Sequence, residues 1–399
     1  MPHDARRAAE RTAREGYGRL LALLAARGGD LAAAEDALGD AFAAALAHWP
    51  RDGVPDRPEA WLLTAARRRL LDGHRRRATH SLAAPDLLRR AALPDDPATL
   101  PDHRLALLLA CADPAVEPGA RAPLMLQVVL GLEASRIASA FLVAPSAMAQ
   151  RLVRAKRRLR DTGAAFALPG PEAITVRLPA VLPAVYAAYA AGAADPADGG
   201  ALAGEALWLA RLCAALAPKE PEATGLAALL LHLEARRPAG RDAAGNYVPL
   251  SAQDPARWDA ARQAEAERLL RDAAALGRPG RHQWEAAVAS AHAARRVTGR
   301  TDWAAVLTLY DALLAATGSP VVAVNRAVAL AEVAGPQAGL AALEDAATDA
   351  RLTAYQPHWA ARAALAARAG RTAEAAAARQ RAIGLATDPA VRRFLMEQG

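Results

Sequence analysis

Apolar residues recur at three- and four-residue spacing along almost the whole chain, and runs of β-branched or aromatic residues are nearly absent. That period places one apolar stripe on each segment as a helix and leaves no alternating segments for a sheet. The spacing predicts an all-α protein. With 399 residues, and roughly 100–200 residues per domain, the chain holds two or three domains. Hydrophobic residues make up 53% and charged residues 23%, which excludes a mostly disordered chain. Two cysteines, Cys111 and Cys213, exclude a disulfide scaffold and a cysteine zinc finger. The first twenty residues carry charges throughout and contain no apolar signal-peptide core. The uncharged stretch from Leu178 to Ala194 is Ala-rich, contains Pro179 and Pro183, and is shorter than a span of about 20 strongly apolar residues. A soluble, cytoplasmic protein with no membrane partner is expected.

Pro- and Asp-rich breaks divide the chain. Ala83–Asp102 and Phe166–Glu172 read as linkers, and Arg237–Asp254 as a loop whose Ala-Gly-Asn suits a short hairpin. The expected organisation is a body over 1–82, a linker over 83–104, a second body over 105–165 and a third over 166–399. Residues 1–165 carry 25 Lys+Arg and 19 Asp+Glu, a net of +6, leaving +1 of the chain's +7 for the remainder. Such asymmetry suits one half facing a polyanion and another that does not. In the third body, Gly335 and Gly370 each sit between two helical runs, at a spacing close to that of tetratricopeptide-like helix pairs.

Arginine placement carries more information than net charge. In EASRIASAFLVAPSAMAQRLVRAKRRLR, Ala134, Ile137, Ala138 and Phe141 form one stripe, and a second helix starts near Pro145 or Ser146. At about 100° per residue, Met148, Leu152, Ala155 and Leu159 share its inner face. The outer face carries Gln150, Val153, Arg154 and Arg157, flanked by Arg151 and Arg158. This is a helix-turn-helix pattern: Gln suits adenine, Arg suits the O6/N7 edge of guanine, and flanking arginines suit phosphates. The alternative is a solvated basic face on an ordinary amphipathic helix. Upstream, PEAWLLTAARRRLLDGHRRR holds six arginines. Leu62, Leu63, Ala66 and Leu70 form its core side, with Thr64, Arg68 and Arg75 opposite. The helix C-terminal dipole accounts for Arg75 to Arg77 but not for Arg67 to Arg69.

Before that basic helix runs an acidic one, AEDALGDAFAAALAHWP. An acidic helix, the RPEAWLLTAARRRLLDGHRRR helix and a final module ending in RLVRAKRRLR, in this order, resemble bacterial RNA polymerase sigma factors of the extracytoplasmic-function type over residues 10–165. LGRPGRHQWEAAVASAHA, SPVVAVNRAVALAEVAGP and GRTAEAAAARQRAI resemble the subgroup with a long tetratricopeptide-like helical extension. The resemblance implies a region 2 module over 1–82, a region 4 helix-turn-helix over 105–165 and an extension over 166–399. It implies core RNA polymerase as partner, through the β′ clamp helices and β flap, with Glu35, Asp36, Asp40 and Phe42 docking on the clamp. It implies promoter DNA as the second partner. Thr64, Arg67, Arg68, Arg75 and Arg76 would hold the melted −10 strand. Gln150, Arg151, Val153, Arg154, Arg157 and Arg158 would read the −35 duplex. Trp61 reads as core packing rather than a stacking platform. Departures from the family pattern are Gly39 in place of a frequent Gln, Arg68 in place of Asn, and YAAYAAGA at Tyr186–Ala193.

The near-neutral extension is not expected to bind DNA. Its partner-site candidates are Asn325 and Arg326, a carboxylate clamp or a structural pair, and Arg241 and Trp258, a partner site or a loop anchor. A regulatory protein or ligand there is the expected occupant. No nucleophile elbow, phosphate loop or metal-ligand spacing is present, so no catalysis, metal or cofactor is expected. His282 and His292 are ten residues apart, and neither cysteine has an activating neighbour in sequence. The rival readings are a stand-alone helix-turn-helix regulator that senses a ligand through its repeats, and an interaction scaffold. The acidic helix favours the sigma reading, because a repressor needs neither it nor the AWLLTAARR helix.

Overall fold

Asp30 accepts hydrogen bonds from the backbone N–H groups of Ala32 and Ala33 and so opens a helix that Gly53 closes. Local signals of this kind delimit much of the chain. In a computed structural model the architecture is all-α, and the structure describes residues 2–28, 30–78, 103–141, 143–163, 166, 170–194 and 200–398. The expected linker over Ala83–Asp102 and most of Phe166–Glu172 lie outside the described residues. Contacts divide the chain into two compact units, Met1–Ala217 and Pro218–Gly399.

In the first unit, α1 (Pro2–Gly28), α2 (Leu31–Asp52) and α3 (Pro58–Ala78) pack together. Leu20, Leu21 and Leu24 meet a shared interior with Leu38, Ala41, Trp49, Leu62, Leu63 and Ala66, all buried. Each fully buried leucine contributes roughly 1.5–3 kcal/mol of transfer free energy. Trp61 stands edge-on to Trp49 at 5.6 Å, in agreement with its reading as a packing residue. Next come α4 (Arg104–Cys111), α5 (Pro118–Val128), α6 (Ala134–Ala140) and α7 (Pro145–Asp161). Pro145 is the first residue of α7, where its fixed φ and missing N–H cost nothing. The backbone of α1 comes so close to the end of α5 that a Cβ on Gly18 would lie 1.8 Å from the Val129 carbonyl oxygen. Only glycine fits there.

The first unit does not end near residue 165, as the linker composition suggests. It includes α8 (Pro171–Ala194) and α9 (Ala201–Leu216). Helix α8 packs on α4, α5 and α9. Arg177 donates to the Leu109 carbonyl at 2.9 Å and to Asp113 at 2.8 Å. Arg104 pairs with Glu205 and lies over the Trp208 ring at 4.5 Å. Helix α8 is long and apolar enough to cross a membrane, yet Leu178, Val181, Val185 and Ala188 are buried in this unit. Proline breaks and polar linkers report local stiffness, whereas the unit boundary follows which apolar faces cover one another.

The second unit is a succession of helices: α10 (Pro221–Arg236), α11 (Ala260–Ala275), α12 (Arg281–Ala293), α13 (Trp303–Thr317), α14 (Pro320–Ala334), α15 (Pro336–Ala346), α16 (Gln356–Arg368), α17 (Thr372–Leu385) and α18 (Pro389–Glu397). Neighbours in sequence pack on one another, notably α14 on α15 and α16 on α17. Gly335 and Gly370, with φ of 91° and 75°, make the turns inside those two pairs. Val324, Ala327, Leu340, Leu343, Leu365 and Ala366 form the core the two pairs share. The expected hairpin after α10 is present: Arg241 and Tyr247 bridge, Gly245 turns at φ 79°, and Asp242 accepts from the N–H groups of Ala244 and Asn246.

Candidate nucleic-acid and polymerase interface

Helix α7 has two chemically distinct faces. Met148, Leu152, Ala155 and Leu159 are all buried, in the stripe that periodicity predicts. Gln150, Val153, Arg154, Arg157 and Arg158 are exposed, Val153 by 66%. Arg151 and Arg158 reach back toward the Gly119 and Ala115 carbonyls, and Arg157 lies 3.7 Å from Asp161. Helix α6 precedes it after a short break, with Ile137 and Ala138 buried. The outer face therefore offers amide and guanidinium donors around a solvent-facing valine, a chemistry suited to base edges and phosphates.

On α3, Arg68 is exposed and Thr64 is half-buried, its hydroxyl donating to the Ala60 carbonyl at 2.8 Å. Arg75 and Arg76 lie in the last helical turns, and their side chains lie outside the described residues. Arg67 requires a correction. It is only 9% exposed and sits in the core stripe with Leu63, Ala66 and Leu70, not on the basic face. The signal was in the spacing: 63, 66, 67 and 70 are i, i+3, i+4 and i+7. The Arg triplet masked it.

On α2, Asp36 and Asp40 are exposed, and Asp40 lies 3.5 Å from Arg69 with both side chains more than half exposed. Phe42 is half-buried and stacks on Tyr17 with ring centroids 6.5 Å apart. Glu35 differs from the expectation of a partner-facing carboxylate. Its two oxygens accept from Lys156 Nζ of α7 at 2.7 and 2.8 Å, and both side chains are less than one-fifth exposed. Burial, then the carboxylates of Glu35 and Asp36, push the Tyr17 phenol up to about 12. Burial and then Glu35 raise the Cys111 thiol, with Lys156 acting in the opposite sense. Sequence reading missed Lys156 because its partner lies 121 residues away.

Residues 13–80, which cover most of α1 and all of α2 and α3, match the family described as Sigma-70 region 2. Over 377 residues the chain is 37% identical to the uncharacterized protein R00370 of Rhizobium meliloti (strain 1021), covering 92% of this chain and 89% of that protein. The chain belongs to the family of R00370, and its N-terminal module is a sigma-70 region 2. Region 2 is the core-polymerase-binding region of sigma factors. Residues 177–274 match a family of unknown function, DUF6596, so that segment takes α8 (from Arg177) and α9 from the first unit and α10 and most of α11 from the second. No solved structure matches the chain.

Within the second unit, Arg241, Trp258 and Arg326 of the extension candidates are engaged internally. Arg241 pairs with Asp388, and Trp258 is buried and donates to Gln253 at 3.2 Å beneath the Arg295 guanidinium. Arg295 also donates to the Leu250 and Ser251 carbonyls at 3.1 Å. These contacts make Arg241 and Trp258 anchors of the loop between α10 and α11. Arg326 pairs with Asp311 at 2.5 Å beside a half-buried Asn325. Cys111 and Cys213 are buried, and burial pushes the Cys213 thiol up to about 12, the environment of an inert small hydrophobe.

Proposed function

We propose that this chain is a sigma factor of the extracytoplasmic-function type, which binds core RNA polymerase and directs it to specific promoters. The observation that carries the reading is the sigma-70 region 2 match over residues 13–80, followed in the same unit by a helix-turn-helix whose second helix exposes Gln150, Val153 and Arg154. In this reading the exposed acids of α2, Asp36 and Asp40, with Phe42, dock on the β′ clamp helices. Thr64, Arg68, Arg75 and Arg76 hold the melted −10 strand. Gln150, Arg151, Val153, Arg154, Arg157 and Arg158 engage the −35 duplex beside the β flap. The extension is a tetratricopeptide-like regulator of initiation that takes a protein or ligand partner, and the protein acts in the cytoplasm without catalysis or cofactor.

Transcription in vitro with purified core polymerase tests it. The expected result is initiation, dependent on this chain, at promoters selected from genomic DNA. Duplex binding without any core-dependent initiation would instead support a stand-alone regulator.

A further inference from the structure

Val153 is the one large apolar side chain that α7 turns to solvent, 66% exposed amid Gln150, Arg154 and Arg157. At about 100° per residue it stands about 140° round the helix from Met148. That is well away from the buried stripe of Met148, Leu152, Ala155 and Leu159, so packing within the fold does not account for it. A β-branched residue is also a poorer helix former than the alanines and arginines around it. Val153 therefore weakens the helix slightly and gains no burial in return. What a branched apolar side chain adds to a face of amide and guanidinium groups is contact with another apolar group. The major groove of DNA presents one, the C5-methyl of thymine, set among hydrogen-bonding base edges. 5-Methylcytosine carries the same methyl at the same ring position.

We propose that Val153 is a methyl-reading contact. It packs on the C5-methyl of one pyrimidine in the duplex bound by α7, so binding responds to thymine at that base pair and to C5-methylation of a cytosine there. This inference rests on α7 reading duplex DNA, as in the sigma-factor reading. Gln150 lies three residues earlier on the same face, about 4.5 Å along the axis and close to one base-pair step of about 3.4 Å. The two side chains therefore meet neighbouring base pairs: the Gln150 amide takes N6 and N7 of an adenine, and Val153 covers the methyl beside it. Arg154 stands about 100° further round, toward a guanine edge or a phosphate. An unmethylated cytosine leaves Val153 nothing to cover, whereas 5-methylcytosine restores the contact that thymine makes.

The test is competition binding by the full chain assembled with core polymerase, at one fixed salt concentration, on a promoter selected from genomic DNA. Each −35 thymine is replaced in turn by deoxyuridine, which lacks only the methyl, and each cytosine by 5-methylcytosine. Expected is one position at which deoxyuridine weakens binding, or 5-methylcytosine strengthens it, by about fourfold, the change for burying one methyl group. Val153→Ala should bind the methylated and unmethylated forms of that position alike, and Val153→Ile should keep the difference. No response at any position overturns the proposal. So does a methyl response that survives in Val153→Ala, which would belong to duplex stiffness or to another side chain. Failure of core-dependent initiation would remove the sigma reading alone, because the same substitutions in a duplex selected from a random library by the full chain still measure the contact. A chain that binds no duplex in either assay overturns both.

Discussion

Arg177 of α8 reaches the end of α4, donating to the Leu109 carbonyl at 2.9 Å and to Asp113 at 2.8 Å with about one-fifth of either side chain exposed. The first helix after the expected domain boundary is thus tied to the helix-turn-helix module. Arg104 and Glu205 repeat the tie from the other side, so α8 and α9 act as structural parts of the first unit.

Arg177→Ala should destabilise the first unit by about 1–3 kcal/mol, the range for a charged hydrogen bond with partial exposure. Truncation after Thr162 should cost far more, because it uncovers apolar surface of α4 and α5. Urea unfolding followed by tryptophan fluorescence reads both. A truncated chain with the full-length midpoint would show α8 and α9 to be dispensable.

The two DNA-reading candidates separate by chemistry. Gln150→Ala and Arg154→Ala should relax base choice at the −35 element by roughly 1–3 kcal/mol each if the contacts are bidentate. Binding to a library of −35 variants at one fixed salt concentration measures this. Equal weakening on every sequence would reassign both residues to phosphate contacts.

Arg67 and Arg68 are neighbours in opposite environments, one buried and one exposed. Arg67→Ala should lower stability by about 1–3 kcal/mol, since it empties a buried position. Arg68→Ala should leave stability within about 0.5 kcal/mol and reduce promoter opening. Thermal unfolding beside permanganate footprinting separates the two. Loss of opening in a fully stable Arg67→Ala would return Arg67 to the DNA-binding set.

Stability of the second unit should fall as pH drops from neutrality. Burial lowers His232 below the ordinary histidine value, and burial, then Arg236 and Arg295, lower His292 to about 4. Between about 6.5 and 4 the unfolded chain therefore binds protons that the folded unit refuses, and stability is lost over that window. Burial acts to raise the Glu222 carboxyl, but hydrogen bonds from His282 and Gln283 outweigh it and hold the group at about 2. Its stabilisation is present above about 4.5 and is lost as pH falls toward 2. Hydrogen exchange of residues 218–399 at pH 7 and pH 5 tests the histidine window, with His232→Gln and His292→Gln expected to flatten it. Equal protection at the two pH values would contradict the assignment.

Several site features were legible without coordinates because they are local. Pro145 opens α7 where the proline suggests, and Met148, Leu152, Ala155 and Leu159 are buried as a stripe of that period requires. Arg67 was legible too, at i+4 from Leu63, but three consecutive arginines read as one basic strip. Lys156 was not legible. It lies beside core residues on α7, and its spacing says nothing about an acid on α2.

Taken alone, the sequence determined the helices, their caps and buried stripes, and the order of acidic helix, basic helix and helix-turn-helix. All of these follow from 3.6-residue periodicity and end-group chemistry, which act over a few residues. Tertiary structure decided that Glu35 is held by Lys156 and that the first unit runs to Ala217 rather than stopping near residue 165. Each depends on which apolar faces cover one another across 50 to more than 100 residues of chain. Packing of that kind is selected by the whole set of burials, and no local spacing encodes it.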